Sequence, residues 1–347
     1  MPTRASAVRI LTESDLRRCV DLDLESIDVV EGAFTALAEK AVDMPPIQHL
    51  SVAEPPSPGA PAVHLGDVDV KSAFIPGLDH VAVKIATGFF GNAALGLPSG
   101  NGLMVLLETQ TGRCAAVLLD NGYLTDVRTA AAGAVAARYL APARSMGSGA
   151  GYTVGVLGTG RQAELQMRAL HRVRPFARLL VHGRNPTHAR GLVDRLASHL
   201  KDVEIHVVDG VAEVLRCSRV VVTTTASTRP LITADMLPNG PLHITAMGSD
   251  LPGKQELDPE ILRRADLCVF DRESQCARLG ELQHVAAARR AELSSCELGE
   301  LTAGRRVGRG ASQGLTVCDL TGTGVQDTAM AVHALARAQA AGLGTVL

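Results

Sequence analysis

Tyr152-Thr-Val-Gly-Val-Leu-Gly-Thr-Gly-Arg-Gln-Ala163 is the stretch from which the fold can be read. An apolar run, Val154 to Leu157, ends in the spacing Gly158-x-Gly160-x-x-Ala163. Ala163, Met167 and Leu170 then recur at helical intervals. Strand, glycine turn and helix follow in the order a dinucleotide site requires. Gly158 permits the turn, Gly160 lets the backbone approach a pyrophosphate, and Ala163 lets helix and strand pack closely. The helix N-terminus offers free N–H groups to the phosphates. A bare glycine turn in an unliganded α/β domain is the alternative; the strand before the motif and the helix after it favour the nucleotide.

C-terminal to this motif, strand and helix patterns alternate. Strands are expected at Val154–Leu157, Leu179–His182, Val203–Val208, Val220–Thr224, His243–Met247, Leu267–Phe270 and Thr316–Leu320, with helix and loop over residues 277 to 315. Apolar strands alternating with helices imply a parallel sheet covered on both faces. The N-terminal side reads differently. After a loose terminus to about residue 10, Thr12 or Ser14 caps a helix, and Val29, Val30, Ala33, Phe34 and Leu37 mark a core-facing helical stripe. Glu54-Pro-Pro-Ser-Pro-Gly-Ala-Pro61 is an exposed loop. Short strands at Val68–Phe74, Val81–Ile85, Leu103–Leu107 and Cys114–Leu119 form a mostly antiparallel sheet. Thr125-Asp-Val-Arg128 opens an alanine-rich helix to Leu140, and Ser145–Gly151 is a linker. Asp327 to Ala340 is a terminal helix that returns to the first domain. The fold class is therefore α/β: a Rossmann doubly wound parallel sheet over 128–320, plus an N-terminal α+β domain made of 1–127 with 321–347.

Composition narrows the function. The chain has 347 residues, 46% hydrophobic and 20% charged, with a formal net charge of −2 and no Trp. That balance carries no basic footprint for nucleic acid, and aromatics are too scarce for base stacking. No apolar run approaches a membrane span. Met1 to Arg18 lacks an apolar core long enough for a signal peptide. Seven dispersed cysteines without a Cys-x-x-Cys pair suggest reduced thiols and a cytoplasmic location. The cysteines and eleven histidines show no metal-ligand spacing, and no nucleophile-elbow signature is present, so neither metal nor covalent catalysis is expected.

Six blocks in order resemble the ornithine cyclodeaminase/mu-crystallin family. They are Val81-Ala-Val-Lys84, Leu124-Thr-Asp-Val-Arg-Thr-Ala-Ala131, Gly158-Thr-Gly-Arg-Gln162, Ile244-Thr-Ala-Met-Gly-Ser-Asp250, Glu297-Leu-Gly-Glu300 and Thr321-Gly-Thr-Gly-Val-Gln-Asp327. Phe89-Phe-Gly-Asn92, Gly96–Met104 and Leu118–Tyr123 look most like the cyclodeaminase-like proteins of ectoine utilisation. The resemblance implies a homodimer, a first domain for substrate and dimerisation, and hydride transfer between nicotinamide and the α-carbon of a small amino or imino acid. Three activities fit: an imino-acid (ketimine) reductase, a cyclodeaminase that releases ammonia and recycles its NAD, and a non-catalytic NADP(H)- and ligand-binding protein.

Candidate site residues follow from both readings. Lys84 lies in an otherwise apolar strand; a buried ammonium needs an anionic partner, though a strand-edge lysine reaching solvent is the alternative. The family places a substrate lysine here. Arg128 lies in the expected first turn of its helix, where a guanidinium can clamp a carboxylate through two parallel bonds, with a structural ion pair as the alternative; the family uses its matching Arg for the substrate α-carboxylate. Asp250 follows a strand at the carboxyl edge of the sheet, where open α/β sheets bind ligands. It matches the acid/base carboxylate of cyclodeaminases. A departure occurs at Gln48-His49, where the family usually carries an Arg; either residue can still hydrogen-bond substrate. The expected cofactor set is Gly158, Gly160, Arg161, Gln162, Arg184, Asn185, Thr225 and Met247, with Asn101 near the nicotinamide by resemblance. Strand Leu179–His182 ends in Gly183-Arg-Asn185 with no carboxylate before Asp194. NAD-preferring sites carry a carboxylate there for the ribose hydroxyl. Its absence, with Arg184 available to a 2′-phosphate, favours NADP(H) over NAD(H).

Overall fold

The computed structural model describes residues 7–55, 63–143 and 152–347. Most of the proline-rich loop, the Ser145–Gly151 linker and the first six residues of the expected loose terminus lie outside them. The N-terminal elements are β1 (Arg9–Thr12), α1 (Glu13–Cys19), α2 (Leu24–Glu39), β2 (Gln48–Ala53), β3 (His64–Ala73), β4 (His80–Gly88), β5 (Gly100–Glu108), β6 (Cys114–Leu119) and α3 (Tyr123–Leu140). There follow β7 (Thr153–Leu157), α4 (Arg161–Val173), β8 (Arg178–His182), α5 (Pro186–Ala197), β9 (Glu204–Val207), α6 (Val211–Cys217), β10 (Val220–Thr223), β11 (Thr228–Ile232) and β12 (Leu242–Ala246). The chain ends with β13 (Gln255–Leu257), α7 (Pro259–Arg264), β14 (Leu267–Phe270), α8 (Glu273–Leu279), α9 (Ala287–Arg290), β15 (Ser295–Glu297), α10 (Leu298–Thr302), β16 (Leu315–Asp319), α11 (Gly324–Ala340) and β17 (Thr345–Val346).

These elements form two compact units. One comprises Met1–Asp21, Glu39–Arg128 and Thr323–Leu347; the other comprises Leu22–Ala38 and Thr129–Gly322. Helix α2 therefore falls in the second unit, although the sequence reading gave it to the first. Its contacts explain the assignment. Glu31 accepts from Tyr139 Oη at 2.5 Å and pairs with Arg138. A Cβ on Gly299 would stand 2.6 Å from Phe34 O, so α10 lies directly on the α2 backbone.

The first unit is a seven-stranded sheet in the order β17-β1-β6-β5-β4-β3-β2. Only β1 and β6 run parallel; the other neighbours are antiparallel. Arg9–Thr12, expected in part as loose terminus, is instead a paired strand, and Thr12 forms a capping box with Asp15. Helix α11 lies against β3 and β4. A Cβ on Gly324 would meet Ser72 O at 2.4 Å, and Thr328 Oγ1 donates to Ala73 O at 2.9 Å.

The second unit holds an eight-stranded sheet, β15-β14-β16-β12-β10-β7-β8-β9, parallel throughout. Alternate strand residues feed two cores. Val154, Val156, Val220 and Val222 pack with Ala163, Met167, Ala189 and Leu192. Leu157, Leu180, Val221 and Ile244 pack with Val214, Leu215, Ile261 and Leu262. That alternation is why the strands are apolar on both sides. Strand β7 lies between β10 and β8, where the order of connection reverses, so the ligand crevice of an open α/β sheet opens at its carboxyl end. Strand β15 falls inside the stretch expected to be helix and loop.

Candidate active site

The crevice beside β7 is a cleft of about 550 Å³ lined by Gly158, Gly160, His182, Arg184, Asn185 and Thr225, among others. Gly158 has φ +121°, and a Cβ there would stand 2.4 Å from Thr224 Oγ1, so the turn admits only glycine. A Cβ on Gly160 would meet nothing within 4 Å. The backbone at the head of α4 is thus uncovered, and the thirteen-residue helix directs its N-terminal N–H groups and positive dipole end there. Arg161 and Gln162 open that helix.

At the end of β8, Arg184 is exposed and makes no hydrogen bond or ion pair with a described residue. Asn185 caps α5, its side chain accepting from Thr187 N at 2.9 Å and His188 N at 3.4 Å. Thr225 lines the cleft, yet both its donors are committed: its N–H and hydroxyl reach Glu256 Oε1 at 2.6 and 2.7 Å. Met247 follows β12, its N–H bonded to Thr223 O and its side chain against the core. Asn101 lies in the first unit on β5, opposite Thr87, and its side chain accepts from Gly102 N at 2.6 Å. A cleft of this size with an uncovered glycine turn and an arginine without a partner among the described residues fits a dinucleotide.

The first unit gathers buried charge. Lys84 is 1% exposed, inside the sheet and not at its edge. Its Nζ donates to Asp327 Oδ1 at 3.0 Å and lies 2.8 Å from Oδ2. Arg128 Nε stands 3.0 Å from the same Oδ1. Helix α3 begins at Tyr123, so Arg128 sits in its second turn and not, as the sequence suggested, in its first. That ion pair lacks hydrogen-bond alignment, which leaves Arg128 Nε buried without a hydrogen bond; Asp327 Oδ2 has none either, despite its contact with Lys84 Nζ. Lys71 is directly opposite Lys84 in the β3–β4 register and is also buried.

Burial, then the neighbouring Arg128 charge, brings Lys84 down to about 7 in spite of its pairing with Asp327. Burial pushes Asp327 the other way, but Arg128, Lys84 and Lys71 together outweigh it and hold the carboxylate below its ordinary value. Asp120, within electrostatic reach of Lys84, is pushed up to about 6 by burial, and its Oδ1 is buried without a partner. Three cations therefore surround Asp327, with Asp120 as the second carboxylate.

Gln48 and His49 lie on the exposed edge strand β2. The His49 ring is held by Asp69 at 2.8 Å and Asp67 at 3.4 Å. Asp250 belongs to the second unit, in the loop after β12. Its Oδ1 pairs with Lys254 Nζ at 2.7 Å, and its side chain is about half exposed. Sequence reasoning missed Asp327, although it sits in one of the quoted blocks, and missed Lys71, whose place opposite Lys84 only strand pairing reveals. Among the described residues no group of three His, Cys, Asp or Glu is placed to hold a metal, and no helix is long and apolar enough to cross a membrane.

Comparison with known proteins places this arrangement. The sequence model of the ornithine cyclodeaminase/mu-crystallin family matches residues 8–341. The chain belongs to this family. It is 45% identical over 349 residues to an uncharacterized cyclodeaminase of Sinorhizobium fredii, covering 100% of this chain and 99% of that one. Its fold matches an archaeal alanine dehydrogenase dimer with bound NAD at a TM-score of 0.83, with 30% identity over 98% of this chain and 99% of the other. It likewise matches the iminosuccinate reductase of Paracoccus denitrificans in complex with NAD+ at 0.82, with 28% identity over 98% and 99%.

Proposed function

We propose that this protein is an NADP(H)-dependent imino-acid reductase acting at the α-carbon of a small imino acid. The observation that carries the reading is the buried pair Lys84 and Arg128, two cations that share the single carboxylate of Asp327. Buried charge of one sign is costly without a counter-charge, and a substrate carboxylate supplies one. Arg128 has its Nη groups without a protein partner among the described residues and offers the planar fork that a carboxylate matches. Lys84 adds a second cation held in place by Asp327. Gln48 and His49 are read as further substrate contacts. The dinucleotide supplies or accepts the hydride when bound; Gly158, Gly160 and the head of α4 would hold its pyrophosphate and Arg184 its 2′-phosphate, with Arg161, Gln162, Asn185, Thr225, Met247 and Asn101 as the wider cofactor set. Asp250 is assigned to move a proton at the substrate nitrogen. Kinship with a dimeric alanine dehydrogenase supports a homodimer, and the cysteine pattern supports a cytoplasmic location. A place in ectoine or hydroxyectoine breakdown rests on the sequence resemblance alone.

The second reading is a cyclodeaminase. It is favoured by Asp250 within Gly248-Ser-Asp-Leu-Pro-Gly-Lys254 and by the cyclodeaminase relative. The positive cluster argues against it at the substrate side chain, since a diamino acid would bring a second ammonium. A non-catalytic binder would not need Lys84, Arg128 and Asp250 together. The test is turnover across a panel of imino acids, with NADPH consumption and ammonia release measured in parallel. NADPH consumption with an imine supports the reductase. Ammonia release from a diamino acid without net cofactor change supports the cyclodeaminase, and binding without turnover across the panel supports the binder.

A further inference from the structure

Four carboxylates, Glu256, Asp271, Glu281 and Asp319, are buried at the carboxyl edge of the parallel sheet, none more than 1% exposed. None makes an ion pair with a lysine or arginine among the described residues; three of them, Glu256, Glu281 and Asp319, form a relay through loop backbone. Asp319 Oδ2 accepts from Leu282 N at 3.1 Å. Glu281 accepts from Glu256 N at 2.8 Å and Leu257 N at 3.0 Å. Glu256 in turn accepts four bonds: Thr225 N and Thr225 Oγ1 on one oxygen, and Thr223 Oγ1 at 2.6 Å and Gly248 N at 2.8 Å on the other.

Those four donors come from two loops. Thr223 and Thr225 flank the exit of β10, whose following residues Thr224 to Ser227 line the cleft. Gly248 leaves β12. The approach is close enough that a Cβ on Gly248 would stand 2.1 Å from Thr225 O and 2.5 Å from Glu256 Cδ. Thr225 Oγ1 also accepts from Ser227 N at 3.3 Å, so the turn is fixed at both ends. Burial raises Glu256, which agrees with a carboxyl kept from water and held by neutral donors alone.

We infer that Glu256 is a positioning residue for the dinucleotide: it never faces the cleft, but by tying Thr225 and Gly248 together it sets the cleft wall formed by Thr224 to Ser227. The inference rests on the reading of that cleft as the dinucleotide site. In Glu256→Gln the shape is kept, but one acceptor oxygen becomes an amide donor. It then confronts either the Thr225 N–H or the Gly248 N–H, and that buried donor loses its partner. Thr225→Val removes the hydroxyl link alone.

The experiment is fluorescence titration of NADPH and NADH into wild type, Glu256→Gln, Thr225→Val and the double variant, with melting temperature recorded for each. Glu256→Gln is expected to raise the Kd of the preferred dinucleotide about tenfold or more, and Thr225→Val a few-fold. Because both substitutions act on the same contact, the double variant should weaken binding by less than the product of the two single effects. At saturating cofactor, kcat and the substrate KM of Glu256→Gln should stay within about twofold of wild type, a split that a purely structural role would not produce. A lower melting temperature with unchanged Kd in Glu256→Gln overturns the inference. If that variant does not fold, an unchanged Kd in Thr225→Val overturns it. Failure of wild type to bind either dinucleotide overturns the cleft assignment and this inference with it. Wild-type binding with unaltered Kd in the variants overturns the inference alone.

Discussion

Replacing Arg128 probes the substrate assignment most sharply, because its two ends do different work. Nε faces Asp327 Oδ1 at 3.0 Å, while the Nη groups have no protein partner among the described residues. Arg128→Ala removes the fork and one of the cations around Asp327. Lys84 remains within 3.0 Å of both Asp327 oxygens, so the carboxylate is not stranded and the fold should survive. Leaving a substrate carboxylate in a buried site without its charge-assisted partner costs about 2–4 kcal/mol. At about 1.4 kcal/mol per tenfold, kcat/KM should fall roughly 30- to 1,000-fold. Arg128→Lys keeps the charge but loses the fork and should fall in between, mainly through KM. The assay is NADPH oxidation with an imino acid in saturating cofactor, with circular dichroism to confirm folding. Wild-type kcat/KM in a folded Arg128→Ala variant would refute the role of Arg128, and wild-type KM in Arg128→Lys would refute the two-bond clamp.

Other outcomes follow from the same geometry. Asp250→Asn should lower kcat by about 10²-fold or more while leaving the dinucleotide Kd nearly unchanged, since a proton carrier contributes to rate and not to cofactor binding; full activity removes it from the chemistry. Arg184→Ala should weaken NADPH binding selectively, with NADH little affected, in parallel titrations; equal affinity of wild type for both dinucleotides contradicts the NADP(H) preference. Lys84, brought down to about 7 by burial and Arg128, is charged below that pH and neutral above it. Accordingly kcat/KM for an anionic substrate should decline as pH rises through about 7, and Lys84→Met should lose that limb. The stability term has the opposite sign: the folded pKa lies below the unfolded one, so the burden of the charged Lys84 is full below about 7 and is relieved as pH rises from there toward 10.5. A pH–melting curve of wild type against Lys84→Met checks it.

Much of the second unit is legible in sequence because its strands are buried on both faces and read as apolar runs. Gly158 marks the cleft because its positive φ and its approach to Thr224 demand glycine there. The cation cluster was only half legible. Lys84 stands out as an ammonium in an apolar strand, but Asp327 is 243 positions away on another element, and nothing local in its helix names its partners. Lys71 needs the β3–β4 register to be placed opposite Lys84. Helix α3 was read late because Tyr123 and Leu124 lack the alanine pattern that marks its remainder. The three-residue β15 has too little sequence to show a strand period, and α2 was misassigned because its partners, Arg138, Tyr139 and Gly299, lie far downstream. Glu256 carries no motif; its role depends on four donors that only folding brings to it.

Net hydride transfer to an imino acid can be followed by deuterium tracing. The enzyme is incubated with NADPH deuterated at the transferring position and a small imino acid, and the product is analysed by mass spectrometry alongside NADP+ formation. The account predicts an amino acid with one deuterium at the α-carbon and one NADP+ per product. An unlabelled product, or no NADP+ formed across the imino-acid panel while a diamino acid releases ammonia, would contradict it.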